Sequence, residues 1–331
     1  MKVSRRRALG VSGVAARAPL VAACGDRDSG PASVTLMLDW VPNTNHTGLY
    51  VAQANGYFAE EDLEVKIVEP GATGAEAAVG SGAADFGVSF QENVTLGRVA
   101  GVPIVSVAAV FQHNTSGFAA PLDRGIRRPR DFEGKKYGAW GSASERQVLA
   151  SLMDCDGGSI NQIEFVDIGM VDPFVAWARG DVDFVWIFQG WTGVEAKLRG
   201  VDLRFLGLTE LGCVPDYYTP VLITNERMIQ ERADVVQRWV SAVARGYQFA
   251  IDNPAAAAEV LINSVDGINA ELVRASQPWT SEKYAEGATR WGEQATSVWD
   301  AYSQWMVDHG LQSRLINTAA AMDGSLSLIH I

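Results

Sequence analysis

Residues 38–71, LDWVPNTNHTGLYVAQANGYFAEEDLEVKIVEPG, constrain this chain more than any other stretch, because they read as one βαβ unit with polar side chains at the strand-to-helix junction. The apolar positions Val34, Leu36 and Leu38 run into Asp39 and Trp40. Pro42 then stops the strand, and Asn43, Thr44, Asn45, His46 and Thr47 fill the turn. A helix is predicted over 47–55, closed by Gly56, with a return strand over 63–68. Open α/β sheets place ligands at junctions of this kind. The competing reading is an ordinary helix cap with turn residues.

The same alternation recurs along the chain. A small-residue helix over 75–79 leads to a short strand over 85–88, with Phe90, Gln91 and Glu92 at its carboxyl end. A helix to about Ala100 and a long apolar strand over 104–111 follow. Beyond Phe118 the residues Pro121, Gly125 and Pro129 mark a loop-rich passage. A second set of elements then begins: a strand over 136–140, a turn with Gly141 and Ser142, a helix to about Met153, a strand over 163–168, a helix from about Pro173, and a strand over 184–188. Trp191 and a helix carrying Glu195 come next, and Tyr218 precedes a strand over 221–224. From Glu226 the pattern is mostly helical, with Val235, Trp239, Val243 and Tyr247 at helical spacing. Such a stripe reads as core packing. The expected architecture is α/β, with lobe 1 over 34–118 and 219–325, lobe 2 over 119–218, and a hinged cleft between them.

Both ends of the chain call for separate treatment. Residues 1–23 carry Arg5, Arg6 and Arg7 and then an apolar stretch ending in Leu20, Val21, Ala22, Ala23 and Cys24, the pattern of a twin-arginine-like signal with a lipoprotein cleavage box. Arg17 within the apolar stretch departs from that pattern. Lipidation of Cys24 is expected, with 24–33 as a linker, so the body would be exported and held at the cell membrane, on its periplasmic or extracellular face, only by that anchor. At the other end, residues 326–331 read as a non-native tail.

Five of the 27 basic residues and none of the 39 acidic ones precede Cys24, so the mature chain carries 22 against 39, a net charge of −17. That field repels nucleic acid and anionic lipid. Cys155 and Cys213 are expected as free, buried thiols in preference to a bridge, and no cysteine or histidine spacing suits a metal.

Polar and aromatic groups gather at four strand ends: Asp39, Trp40 and Asn45; Gln91 and Glu92; Trp140, Gly141 and Ser142; and Trp186, Trp191 and Glu195. Tyr218 stands at the return crossing. Aromatic faces beside carboxylates and amides suit a flat, nitrogen-rich ring. Each Trp taken singly reads as packing. No phosphate loop, nucleophile elbow or metal-spaced His pair is present, so no catalytic residue, cofactor or metal is expected. His46 and His113 read as turn residues held by hydrogen bonds.

The runs LDWVPNTNHTGLYVAQANGYF, GVSFQENVTLGRVAGVPIVSVAAVFQHNTSGFA, WGSASE, GDVDFVWIFQGWTG, DYYTPVLITNE and RWGEQ resemble the ThiY-like substrate-binding lipoproteins of bacterial ABC importers. Those lipoproteins form part of a family that binds or synthesises thiamine pyrimidine precursors. The resemblance implies a type II periplasmic-binding-protein fold and a ligand of the formylaminopyrimidine or hydroxymethylpyrimidine type. It implies an ABC permease and its ATPase as partners of a monomeric receptor, with the residues just named lining the cleft. Sister families would take an alkanesulfonate, taurine or nitrate instead. The synthase branch carries a Lys and a His in the first lobe and a cysteine-rich motif; here residues 89–93 hold neither Lys nor His and no cysteine cluster exists.

Overall fold

The computed structural model describes residues 1, 30–71, 73–142, 144–169 and 171–324. The signal segment, Cys24 and the 326–331 tail lie outside the described residues.

Ten strands form two five-stranded sheets. They are β1 (Ala32–Met37), β2 (Leu63–Val68), β3 (Phe86–Ser89), β4 (Ile104–Ala109), β5 (Ser116–Pro121), β6 (Lys136–Ala139), β7 (Glu164–Asp167), β8 (Phe184–Phe188), β9 (Leu203–Gly207) and β10 (Val221–Asn225). The first sheet has the order β2-β1-β3-β10-β4 and the second β7-β6-β8-β5-β9. In each sheet a single strand runs against its neighbours: β10 is antiparallel to β3 and β4, and β5 to β8 and β9. Both odd strands come immediately after a passage between sheets, at 110–115 and 208–220.

Apolar continuity places these strands. Every residue of β3, β4 and β10 is buried, as sheets covered on both faces require, whereas β2 alternates buried Leu63 and Val65 with exposed Glu64 and Lys66 at the sheet edge. The helix Ala233–Asp252 buries Val235, Val236, Trp239, Val240, Val243 and Tyr247 along one stripe. Trp239 stacks on Phe86, with ring centroids 3.9 Å apart. A Cβ on Gly246 would stand 2.0 Å from the Gly48 carbonyl oxygen, so this helix and Thr47–Ala54 touch backbone to backbone.

The strand β9 was not expected from the sequence, and three further features differ from that reading. The residues SGFAAP form β5, the second strand from the edge of the second sheet, so the first passage lies before Ser116 and not at 118. Their small side chains hide a strand because pairing fixes it: a Cβ on Gly117 would stand 2.3 Å from the Leu206 carbonyl. Residues near the carboxyl end also do not belong to the first lobe alone. The helix Thr296–Asp308 puts Trp299 in the first core and Tyr302, Trp305 and Met306 in the second. Finally, Cys155 and Cys213 are joined in a disulfide, with Cα atoms 5.9 Å apart, and are not free thiols. The end of the helix Glu145–Cys155 returns beside the second passage, a proximity that a 58-residue separation in sequence does not reveal.

The two passages are tied to one another. Asp216, on the second, accepts from the His113 ring at 2.5 Å and from the Asn114 N–H at 2.9 Å, both on the first. Asp216→Ala is expected to cost about 1 kcal/mol in urea denaturation, because the pair is half exposed. An unchanged midpoint would show that the tie carries no stability.

Candidate functional site

The carboxyl ends of β1, β3, β6, β7 and β8 converge on a cavity of about 310 Å³. On the first-sheet side the turn after β1 is pinned from several directions. Asn43 Oδ1 accepts the Asn45 N–H at 2.8 Å, and the Asn43 N–H donates to His46 Nδ1 at 3.2 Å. With Nδ1 accepting, His46 carries its proton on Nε2 and donates it to Asp39 Oδ1 at 2.6 Å. From behind, Thr44 Oγ1 meets Ser276 Oγ at 2.6 Å, the Tyr247 hydroxyl donates to the Asn45 carbonyl at 2.7 Å, and the Tyr284 hydroxyl donates to the Thr44 carbonyl. His46 is therefore a support held on both ring nitrogens, and Asp39, Trp40, Asn43 and Asn45 line the cavity.

On the facing side stand Trp140, Trp186, Phe188, Trp191, Asp172 and Glu195. The Trp186 indole N–H donates to Ser116 Oγ at 2.8 Å, which fixes its ring. Glu195 and Asp172 share Arg199, at 2.5 and 3.1 Å, so the trio keeps a net negative charge. The two sides meet in an edge-on contact between Trp40 and Trp140, centroids 5.9 Å apart. Phe90 stands edge-on to Trp140 as well, at 6.2 Å.

Behind Trp140 a second cavity of about 10 Å³, the size of one water, is lined by Glu92, Ser116, Ser142 and Ser144 among others. Glu92 is buried, and its Oε2 has no hydrogen-bond partner among the described residues. Burial pushes its carboxyl up to about 8, and the Glu76 charge adds to the rise, against the pull of its own backbone N–H and the Tyr217 hydroxyl. Glu145 is buried too: loss of hydration raises its carboxyl, while hydrogen bonds from Tyr137, Trp140, Ser142 and Gly141 oppose the rise.

Of the residues expected to line the cleft, Asp39, Trp40, Asn45, Trp140, Trp186, Trp191 and Glu195 line the main cavity, and Glu92 and Ser142 its small neighbour. Gln91, Gly141 and Tyr218 line neither. Gln91 Oε1 accepts the Tyr218 N–H at 2.9 Å, and the Tyr218 hydroxyl accepts the Ala295 N–H at 2.9 Å; both fasten the second passage to the first lobe. The Gly141 N–H is turned to Glu145. Asn43 and Phe90, which the sequence places at those same strand ends, line the main cavity as well; Phe188 and the junction with Ile168, Gly169 and Asp172 were missed. The last is the strand-to-helix junction after β7, so the rule that found the other four applied to it equally.

Two mixed α/β sheets, joined by repeated passages and facing one another across an aromatic cleft, define a protein of the type II periplasmic-binding-protein fold. The alkanesulfonate-binding protein SsuA from Xanthomonas axonopodis pv. citri, solved bound to MOPS, has this fold. It matches with a TM-score of 0.69 at 16% identity, over 89% of this chain and 99% of that one. The chain belongs to the NMT1/THI5-like family, whose model matches residues 43–257. It is 30% identical to the formylaminopyrimidine-binding protein of Halalkalibacterium halodurans, over 84% of this chain and 85% of the relative. It is 29% identical to the 4-amino-5-hydroxymethyl-2-methylpyrimidine phosphate synthase of Legionella pneumophila, over 69% and 72% respectively.

Proposed function

We propose that this chain is the substrate-binding component of an ABC importer. In this reading it captures a thiamine pyrimidine precursor of the formylaminopyrimidine or hydroxymethylpyrimidine type and delivers it, for thiamine salvage, to a permease with its ATPase. The observation that carries the reading is the composition of the main cavity: Trp40, Trp140, Trp186 and Trp191 with Asp39, Asp172 and Glu195, and no Lys or Arg among its described lining. Indole faces suit a flat ring, and carboxylates accept from an exocyclic amino group. A sulfonate or nitrate would need cations or open backbone amides on the same walls.

Binding without catalysis is part of the same proposal. It is supported by His46, which borders the cavity through Asn45 and is committed to Asp39 and Asn43 on both ring nitrogens. The Cys155–Cys213 bridge supports export, because disulfides persist in oxidising compartments. Among the described residues no helix is long and apolar enough to cross a membrane, and attachment through lipidated Cys24 completes the reading.

Calorimetry with formylaminopyrimidine tests it. Saturable heat is expected, and Trp40→Ala should weaken binding by about tenfold or more, the loss of one ring-on-ring stack. A folded sample that gives no heat at millimolar ligand overturns the substrate; unchanged affinity in Trp40→Ala removes Trp40 from the site.

A further inference from the structure

We propose that Glu145 is the residue that makes this cleft refuse anions. After β6 the chain turns through Trp140, Gly141 and Ser142 into the 11-residue helix Glu145–Cys155. Gly141 has a φ of +99°, in the region that glycine adopts readily, and the turn it allows brings consecutive amides towards a single point. At that point stands the protein's own carboxylate. Glu145 Oε1 accepts the Gly141 N–H at 2.8 Å and the Ser142 N–H at 2.6 Å. Its Oε2 accepts the Trp140 N–H at 3.1 Å and the Tyr137 hydroxyl at 2.6 Å.

Converging backbone amides at the head of a helix are the usual cradle for phosphate, sulfate or sulfonate. Here the cradle is filled from within by a side chain only 2% exposed. All four of its partners are donors, the pattern that suits an ionised carboxylate. The loop concerned is part of the site, since Trp140 lines the main cavity and Ser142 and Ser144 its neighbour. At the neighbouring junction, after β7, a carboxylate on the cavity wall likewise occupies a helix-start amide: Asp172 Oδ1 accepts the Phe174 N–H at 2.8 Å. An entering anion would meet occupied amides and the charges of Asp39, Asp172 and Glu195. The inference rests on the reading of this cleft as the ligand site, and it assigns specificity to a residue that touches no ligand.

Inorganic sulfate is the probe. In the full-length protein, the backbone amide resonances of Trp140, Gly141 and Ser142 are expected to ignore sulfate at about 50 mM, where weak surface ion pairing is already screened. Glu145→Ala, which empties the cradle, is expected to bind sulfate at least about tenfold more tightly than the parent, with those three amides shifting. Its melting temperature should rise more with sulfate than the parent's does, both measured against chloride at equal ionic strength. Glu145→Gln keeps the space filled and should stay blind to sulfate. A variant that folds only in sulfate supports the proposal as well. Sulfate-dependent shifts of those amides in the parent overturn it, as does a Glu145→Ala protein that sulfate neither shifts nor stabilises. Pyrimidine calorimetry on the same samples separates the two readings: a parent that binds no pyrimidine, beside a Glu145→Ala variant that gains sulfate, sinks the substrate and leaves the role of Glu145 standing.

Discussion

Gly246→Ala is expected to lower the stability of the protein by about 3 kcal/mol or more in urea denaturation, an overpacking cost at the upper end of its class. The direction is informative because intrinsic propensity points the other way: Ala in a helix interior is favoured over Gly by about 1 kcal/mol. Position 246 lies inside the 20-residue helix Ala233–Asp252. Its new Cβ would stand 2.0 Å from the Gly48 carbonyl oxygen and 3.0 Å from the Ala52 backbone nitrogen, so the obstruction is backbone and cannot rotate aside. The helices must separate, and Tyr247 moves with them. Its hydroxyl holds the Asn45 carbonyl and its ring stacks on Trp291 at 4.2 Å, so the cleft turn should loosen and ligand affinity fall along with stability. A variant more stable than the parent would show that the close approach is not as drawn.

The second large effect concerns pH. Glu92 ionises near 4.5 when exposed in the unfolded chain and near 8 in the folded one, because burial disfavours its charge. Between those values the native state holds a proton that the unfolded state has released. The stabilisation from this group is complete below the lower value and is lost as pH rises through the upper one, at about 1.4 kcal/mol per pH unit. Glu92→Gln keeps the shape and removes the titration. Its stability should match the parent near pH 4 and exceed it by a few kcal/mol, in order of magnitude, near pH 8. The Glu76 carboxylate and the Tyr217 and Tyr302 hydroxyls lie near the site, and burial also raises the Glu145 carboxyl from its ordinary value. For that reason the informative quantity is the difference between variant and parent curves; parallel curves would mean that Glu92 is solvated in the native state.

How far the fold was legible depended on what kind of residue carried the information. Long apolar runs such as IVSVAA and FVWIF declared buried strands, because chain fully enclosed between helix layers has nowhere to put polar side chains. The polar clusters after those strands were legible for the complementary reason, since a polar group beside an enclosed strand needs a partner or a ligand. β5 was invisible because, apart from Phe118, it is built of Ser, Gly, Ala and Pro, and its pairing with β8 and β9 holds it in place. The helix Thr296–Asp308 reads as a single amphipathic stripe, and nothing local says that successive turns face different cores. Glu145 was passed over for a related reason: a Glu at the start of a helix looks like ordinary charge placement, and only the folded turn shows four donors meeting on it. Glu195 and Asp39 were read as hands held out to a ligand, yet each also has a standing partner, Arg199 and His46, that a sequence does not disclose.

The crowding of indoles on both sides of the cleft has an optical consequence. Four of the ten tryptophans line one cavity, and two of them, Trp40 and Trp140, come from opposite lobes and lie 5.9 Å apart. Emission from such a set responds to whatever lies against the rings and to the separation of the lobes, while Trp239 and Trp299, enclosed in the cores, supply a constant background. On the proposed reading of the cleft, the molecule carries its own unlabelled reporter of occupancy and closure. Trp40→Phe and Trp140→Phe, made singly, would tell apart light lost to contact with the guest from light lost to the approach of the two walls.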